Sequence, residues 1–333
     1  AATVIGGPAV VAALLFLGSL LVIENEINIG QFVAAEIVVI LIMNSVEKLI
    51  LNMETIYDML TGIEKIGKVA DQPLDRSSGV DFTEIDTGRG MAVELNNINF
   101  QFPDDSFRTL KNINMNIKPG EKVCIAGYNR AGKRTLLQIL SAFYESYQGS
   151  ISYNGLPSRN INLNSLHNSI GEYTSQLDIF KGTVAENIRL QNQELTYRDM
   201  IDIAGKIELH EYVESLQDGY ETVLLPGGKN VPGSIRAKII LCRAIAANPR
   251  LFVMEDNLRR METSDRLCII NYLTTAKRNW TFIVVSDDAY FASRCDRVVI
   301  MKAGEILEQG SFEDIKNSIH YSEIFNAETI KVD

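Results

Sequence analysis

The stretch KVCIAGYNRAGKRTLLQIL, residues 122–140, predicts a strand, a glycine loop and a helix in immediate succession. The run Lys122–Ala126 is typical of a short buried strand, and Gly127 to Lys133 has the GxxxxGK spacing of a phosphate-binding loop. In such a loop, backbone N–H groups point at an anion at the N-terminus of a helix, where the helix dipole favours negative charge. We expect Lys133 to reach the outer phosphates of the ligand.

The last position of this motif departs from the pattern. The pattern requires Ser or Thr directly after the lysine, because that hydroxyl binds Mg²⁺. Arg134 stands there instead, and Thr135 lies about 100° further around the helix, where it should not substitute. We therefore expect a weak Mg²⁺ site at most.

Outside this loop, short apolar runs alternate with helical stretches from Met91 onward. The predicted strands are Val93–Phe102, Lys122–Ala126, Gly149–Tyr153, Ile170–Thr174, Leu251–Glu255, Phe282–Ser286 and Arg297–Lys302, and the predicted helices are Gly132–Phe143, Tyr197–Ala204, Ser234–Ala247 and Thr263–Ala276. This alternation predicts an α/β domain over residues 91–333 with a largely parallel central sheet.

The first 70 residues have a different character. Val4–Ile23 contains no charged side chain and, at about 20 residues, is long enough to cross a bilayer as a helix. A second apolar run, Phe32–Ser45, is interrupted only by Glu36 and continues as a helical pattern into more polar sequence. We expect two membrane spans with a cytoplasmic extension over residues 1–70, and a linker over residues 71–90. Glu36, a carboxylate at membrane depth, should face protein or a water-filled path.

The distribution of positive charge orients these spans. No lysine or arginine lies in the loop 24–31, whereas Lys48, Lys65 and Lys68 follow the second span. By the positive-inside rule, the chain after about Glu47 is cytoplasmic.

Composition narrows the function classes. The 333 residues are 46% hydrophobic and 22% charged, which excludes a disordered or collagen-like chain. The net charge of −10 argues against a generic nucleic-acid binder, so no nucleic-acid partner is expected. The 4 cysteines form no CxxC pair and the 3 histidines are scattered, so neither a zinc knuckle nor a disulfide framework is indicated.

Several further segments carry a family resemblance. Phe102 precedes a proline, TLKNINMNIKPGEKVCIAG (109–127) leads into the phosphate loop, and YTSQLDIFKGTVAENI (173–188) contains Gln176. VPGSIRAKIILCRAIAANPRLFVMED (231–256) and CDRVVIMKAGEILEQGSFEDI (295–315) complete the series. In order and spacing, the chain resembles the C-terminal part of an ATP-binding-cassette (ABC) exporter half-transporter, with its last two transmembrane helices followed by the nucleotide-binding domain.

The resemblance implies an ABC ATPase fold, ATP as the ligand and a role for each matching residue. Nucleotide contacts are implied for Phe102, which would stack on adenine, and for Gly127, Asn129, Arg130, Ala131, Gly132, Lys133, Arg134, Thr135 and Gln176. Glu255, Asp256 and Asp287 hold the catalytic positions, Gln176 and Glu255 the metal positions, and Val231, Pro232, Gly233, Ser234 and Ile235 the signature.

The sequence departs from the family pattern at several of these positions. The signature LSGGQ reads VPGSI, so Pro232 replaces the serine that touches the partner's γ-phosphate and offers neither a hydroxyl nor an N–H. The expected Asp-Glu pair reads Glu255-Asp256, and the switch histidine is Asp287, which would repel a γ-phosphate. Arg130 stands in the place of a small loop glycine. Because phosphoryl transfer depends on metal, positioning and electrostatics together, we expect poor ATP hydrolysis.

Three functions remain open at this point. The chain could be an exporter subunit with a degenerate ATPase, a fully active exporter ATPase with divergent motifs, or a membrane-anchored structural or regulatory pseudo-ATPase that transports nothing. The resemblance implies a second half-transporter as partner, in a homodimer or a heterodimer, and a location in the inner or plasma membrane with the nucleotide-binding domain in the cytoplasm.

Overall fold

The computed structural model describes residues 2–72, 76–82, 85, 90–103, 105–175, 178–190, 192–275 and 279–325. They form two compact units, residues 1–74 and residues 75–333. The first unit is helical, and the second combines β-sheets with helices. The structure thus confirms the predicted fold class, a helical segment followed by an α/β domain.

Two helices, α1 (Ala2–Ile23) and α2 (Ile29–Ala70), make up the first unit. Asn28 starts α2 with a capping box, because its side chain accepts the Gln31 N–H at 2.8 Å while the Gln31 side chain accepts the Asn28 N–H at 3.0 Å. These bonds satisfy two backbone N–H donors at the turn between the helices and so fix where α2 begins.

The apolar side chains of these helices are mostly exposed. Among the described residues, α2 is the one helix long and apolar enough to cross a membrane, with an 18-residue window of mean hydropathy 2.0, whereas the apolar stretch Val11–Ile23 is shorter. The helices touch at Gly18, where an added Cβ would lie 2.1 Å from the Phe32 ring. Part-buried positions recur along α2 at Phe32, Glu36, Val39 and Met43. Glu36 therefore lies on the stripe of α2 that faces α1.

Twelve strands are described in the second unit. They are β1 (Val93–Phe100), β2 (Leu110–Ile117), β3 (Lys122–Gly127), β4 (Gln148–Tyr153), β5 (Leu156–Pro157), β6 (Ile170–Tyr173), β7 (Gly182–Thr183), β8 (Val223–Leu224), β9 (Leu251–Glu255), β10 (Thr281–Val285), β11 (Arg297–Lys302) and β12 (Glu305–Gly310). Six of them form the central sheet in the order β12-β11-β3-β10-β9-β6, and all but β12 run parallel. The carboxyl ends of β3, β9 and β10 therefore meet at one edge.

A second, antiparallel sheet has the order β2-β1-β4-β5. Its strands β1 and β4 were predicted from the sequence, but β2 was not, because β2 alternates buried apolar residues with Asn112, Asn114 and Asn116. Asparagine is depleted in strands, so the sequence of β2 gave little strand signal. Here the asparagines point outward and the apolar residues join the core.

Ten helices complete the described part of the second unit. They are α3 (Lys133–Leu140), α4 (Leu163–Asn168), α5 (Val184–Arg189), α6 (Tyr197–Lys206), α7 (His210–Glu214), α8 (Gly233–Ala246), α9 (Thr263–Thr274), α10 (Ala289–Ser293), α11 (Phe312–Lys316) and α12 (Tyr321–Phe325). Alternate residues of β3 enter opposite cores: Val123 and Ile125 pack with α3 and the antiparallel sheet, whereas Cys124 packs with α8. The phosphate loop thus projects from a strand that is buried on both faces.

Part of the predicted linker packs onto this second unit. Arg76 donates a hydrogen bond to the Ser158 carbonyl at 3.0 Å, and Phe82 is fully buried, with its N–H bonded to Ser165 Oγ at 2.9 Å. The described residues of the segment 71–90 are therefore not a free tether.

Candidate nucleotide site

The phosphate loop connects β3 to α3. Gly127 has φ +141° and lies so close to β11 that an added Cβ would be 2.2 Å from the Met301 carbonyl oxygen. Gly132, at the start of α3, has φ +88°, and an added Cβ would lie 2.9 Å from the Thr109 carbonyl oxygen. Both positions require glycine for conformation and for space. The sequence therefore folds this segment into the predicted loop at the N-terminus of a helix.

The lysine of the loop binds an acidic residue of the same chain. Lys133 Nζ lies 3.0 Å from Oδ2 and 3.1 Å from Oδ1 of Asp287, and it also donates to the Gly127 carbonyl. The Gly127 N–H donates to Asp287 Oδ1 at 3.1 Å. Asp287 follows β10, the neighbour of β3, so the parallel sheet brings the switch position to the loop. The Asp287 carboxylate thus binds both the Lys133 ammonium and a backbone N–H of the loop.

The next residue of the motif also pairs with a carboxylate. Arg134 Nε lies 2.8 Å from Glu255 Oε1 at the end of β9. That oxygen accepts no hydrogen bond from the described residues, so the contact is an ion pair without a directed N–H bond. The other oxygen, Oε2, accepts the Ser175 N–H at 3.0 Å and the Ser175 hydroxyl at 2.8 Å. The carboxylate in the metal position is thus held by a guanidinium and a serine.

Asp256, in the position of the general base, is held in a buried network. Its Oδ2 accepts the Ser286 hydroxyl at 2.6 Å and lies 3.5 Å from Arg266 Nη2, which in turn lies 2.9 Å from Asp288 Oδ2. The side chains of Arg266, Asp256 and Asp288 are 9%, 3% and 2% exposed. The negative charge of Asp256 also contributes, after burial, to raising the pKa of Tyr173. This network restricts the access of a water molecule to the Asp256 carboxylate.

The signature segment begins α8. Pro232 and Gly233 are exposed, Ser234 is part-buried and Ile235 is buried. No side chain caps the helix, and Pro232 contributes only its carbonyl, which accepts the Arg236 N–H at 3.0 Å. The part-buried Val231 packs against the core. The segment therefore has the predicted position and lacks a side-chain donor at Pro232.

The remaining predicted residues divide into two groups. Phe102 contacts Phe100 edge-on at a ring distance of 4.9 Å, and Thr135 and Ala131 are buried. Asn129 and Arg130 are exposed, and Arg130 has φ +60° and no ion pair with any described residue. The Arg130 side chain is thus directed to solvent in this structure. Gln176 lies outside the described residues.

Three functional neighbours were not predicted from sequence. Ser175 holds Glu255, Arg266 neutralises Asp256 and Asp288, and Tyr128 ties the phosphate loop to the C-terminal segment. Ser175 and Tyr128 each adjoin a predicted site residue, which is a weak signal. Arg266 has no local signal, because only the fold brings α9 to the end of β10.

Two cavities border these carboxylates. One of about 250 Å³ is lined by Glu255, Asp256, Asn257, Arg259, Ser286 and Asp287. The other, of about 650 Å³, lies between the start of α8 and the end of β9, with Ser175, Gly233, Ser234 and Asp256 among its lining residues. Asp256, Asn257 and Arg259 line both cavities, so the acidic pair lies between the signature segment and the switch position.

Comparison with known proteins agrees with this geometry. A family model described as "ABC transporter" matches residues 110–258. The chain is 27% identical over 308 residues to an ATP-dependent lipid A-core flippase of Syntrophus aciditrophicus (strain SB), covering 92% of this chain and 50% of the relative. It is 26% identical over 308 residues to the leukotoxin export ATP-binding protein LtxB of Aggregatibacter actinomycetemcomitans, covering 92% of this chain and 43% of the relative.

The fold is also that of a solved exporter. A bacterial Atm1-family ABC exporter with ATP bound superposes with a TM-score of 0.71 at 20% identity, over 81% of this chain and 47% of that chain. The chain thus spans about half the length of the relatives it matches. These findings confirm the predicted resemblance to ABC exporters, a resemblance that implies ATP binding.

Proposed function

Starting from the ABC domain and the likeness to exporters over most of the chain, we propose that this chain is part of a membrane exporter subunit with impaired ATP hydrolysis. It binds ATP with little dependence on Mg²⁺, and a partner half-transporter supplies turnover. The observation that carries this proposal is the ion pair between Arg134 and Glu255, 2.8 Å apart, at the metal position.

A divalent cation does not fit the residues present there. Mg²⁺ is bound by oxygen ligands in a compact octahedral shell, and the hydroxyl that normally provides one of them is replaced by a guanidinium. Arg134 already neutralises Glu255, and its fixed positive charge repels a second cation. Ser175 occupies the other carboxylate oxygen. The Arg134 side chain therefore supplies the positive charge that a metal ion would otherwise supply.

The other catalytic positions support the same proposal. The Asp256 carboxylate accepts a hydrogen bond from Ser286 and lies 3.5 Å from Arg266, so it is already engaged by groups of the same chain. Asp287 accepts hydrogen bonds and cannot donate one to a γ-phosphate as a histidine would. Pro232 gives the signature no hydroxyl. The changes at Arg134, Asp256 and Asp287 act at this chain's own phosphate loop, whereas Pro232 acts on the partner's γ-phosphate. Together they weaken transition-state stabilisation at both composite sites.

The membrane location and the partner follow from the resemblance. α2 is exposed, apolar and long enough to span a bilayer, which supports insertion with the second unit in the cytoplasm. Exporters of this kind work as dimers of half-transporters. A partner with intact motifs would supply its own phosphate loop and acidic pair at one of the two composite sites, where this chain contributes the altered signature.

The test is ATP binding and hydrolysis by the purified full-length assembly, with Mg²⁺ and with a chelator. We expect nucleotide affinity to change less than about threefold on chelation, because the metal position is already neutralised. Phosphate release by this chain without a partner should remain at background. Rapid Mg²⁺-dependent turnover by this chain alone would favour the fully active exporter instead. Absence of transport with every candidate partner would favour the regulatory pseudo-ATPase.

A further inference from the structure

The carboxylate of Asp287 occupies the position that the phosphate loop offers to an anion. It accepts the Gly127 N–H at 3.1 Å and lies 3.0 and 3.1 Å from Lys133 Nζ through its two oxygens. A loop N–H and the motif lysine are the donors with which such a loop holds phosphate oxygens. The side chain of Lys133 is only 13% exposed in this pair. The phosphate loop therefore already binds an anionic group, the Asp287 carboxylate of the same chain.

The backbone holds Asp287 in this place. The Ser286 N–H bonds to the Ile125 carbonyl of β3 at 3.2 Å, and the Asp288 N–H bonds to Ser286 Oγ at 3.1 Å. Asp288 is itself anchored, because its side chain pairs with Arg266 and accepts the Phe291 N–H at 2.8 Å. The hydrogen bonds of Ser286 and Asp288 thus fix the turn that carries Asp287. Because this turn is already ordered, little conformational entropy is lost when the Asp287 carboxylate contacts the loop.

The contact can still open. The side chain of Asp287 is 34% exposed, and it lines the cavity of about 250 Å³ beside Asn257 and Arg259. Rotation into that space would free Lys133 and the Gly127 N–H without moving the sheet. An entering phosphate must take these donors from the carboxylate and meets its negative charge until the side chain has turned away.

We propose that Asp287 is an intramolecular ligand of the phosphate loop that competes with phosphate-bearing ligands and sets their affinity. The proposal rests on the proposed function, since it describes how the same nucleotide site is regulated. In this chain the switch position closes the loop in the absence of nucleotide, and nucleotide enters only after the aspartate has left.

The test measures binding of inorganic pyrophosphate, and then of ADP, to the full chain in detergent without divalent metal. Asp287→Asn keeps an oxygen that can accept the Gly127 N–H and removes the charge, so we expect pyrophosphate to bind at least about tenfold more tightly. Asp296→Asn is the matched control: Asp296 pairs with Lys122 at the other end of β3, so the net charge changes equally. Its affinity should stay within about twofold of the unsubstituted chain.

Further variants keep the result interpretable. Lys133→Met combined with Asp287→Asn should lose pyrophosphate binding, which would locate the ligand at the loop. Asp287→Ser should reproduce the gain if the asparagine variant folds poorly. Equal affinities of the unsubstituted chain and both Asp287 variants would overturn the proposal. Rapid Mg²⁺-dependent ATP hydrolysis by the unsubstituted chain would overturn the proposed function while leaving the pyrophosphate comparison valid.

Discussion

Arg134 places a fixed positive charge where a phosphate-loop helix normally carries a hydroxyl. The side chain of Arg134 is 46% exposed and that of Glu255 is 12% exposed, so water screens the pair and its contribution to stability is about 0.5–1 kcal/mol. Under the proposed function its effect on the chemistry is larger, because the guanidinium would replace both a ligand and the charge of the metal. We therefore expect Arg134 to alter catalysis more than folding.

We expect Arg134→Ser alone to leave ATP hydrolysis at background, because Pro232, Asp256 and Asp287 remain. The variant should lose at most about 1 kcal/mol of unfolding free energy, since Glu255 keeps its bonds from Ser175. Phosphate release and urea unfolding measure the two effects, with Arg130→Ser as the control for removal of an exposed arginine. Turnover restored by the single substitution would contradict this account.

In contrast to Arg134, Arg266 should matter more for folding than for catalysis, because it is buried between two carboxylates. Its Nη2 lies 2.9 Å from Asp288 and 3.5 Å from Asp256. We expect Arg266→Met to lower the free energy of unfolding by about 3–5 kcal/mol, because it leaves buried carboxylates without a counter-charge. Combining it with Asp288→Asn should recover part of the loss, which a double-mutant cycle in urea would measure. A single-variant loss below about 1 kcal/mol would show that the pair is dispensable.

At the scale of elements, the phosphate loop contacts the segment 320–325, which includes α12. The Tyr128 hydroxyl contacts Glu323 in α12 and lies 3.0 Å from His320 Nδ1, just before that helix. The Lys302 ammonium lies 4.5 Å from the centre of the Tyr128 ring. Hydrogen bonding to Glu323, followed by partial burial, raises the pKa of Tyr128. α12 thus stabilises one conformation of a loop nearly 200 residues earlier in the chain.

Tyr128→Phe should release this contact while preserving the ring. Because the folded pKa of Tyr128 lies above the unfolded value of about 10, the contact contributes fully below pH 10 and is lost as the pH rises through the folded pKa. We therefore expect the variant to unfold at lower temperature at pH 7 and the difference to shrink above pH 10. Glu323→Gln should have a smaller effect, since an amide oxygen still accepts the hydroxyl. A pH-independent difference would point to packing alone.

Elements with strong local signals were predictable, and contacts between distant elements were not. The apolar strand and the glycines identified β3 and the phosphate loop, and the core of α8 was predicted within one residue at each end. Short helices such as α10 and α12 went unpredicted because five residues carry too little periodicity. The family resemblance also indicated Glu255 and Asp287 as site residues. Their pairing with Arg134 and Lys133 depends on the strand order, which local patterns do not encode.

At the scale of the whole molecule, the second unit satisfies the charges of its own nucleotide site. Lys133 pairs with Asp287, Arg134 with Glu255, and Arg266 with Asp288. A site whose cations are bound by carboxylates of the same chain does not need a ligand to be stable. We therefore expect the folded state to be independent of metal and nucleotide supply, in agreement with the proposed function.

This independence predicts the response to metal removal. A ligand at 100 times its dissociation constant stabilises the folded state by about 2.7 kcal/mol, so a true Mg²⁺ site would raise the unfolding midpoint by several degrees at millimolar Mg²⁺. We expect a shift below about 1 °C between excess Mg²⁺ and chelator. The single tryptophan, Trp280, reports on the second unit, because it is 7% exposed and its ring lies 5.5 Å from that of Phe252. The double variant Arg134→Ser and Glu255→Asp, which restores a hydroxyl and an aspartate, is the positive control and should show the larger shift. A rise of several degrees in the unsubstituted chain would mean that Arg134 leaves Glu255 when the metal arrives.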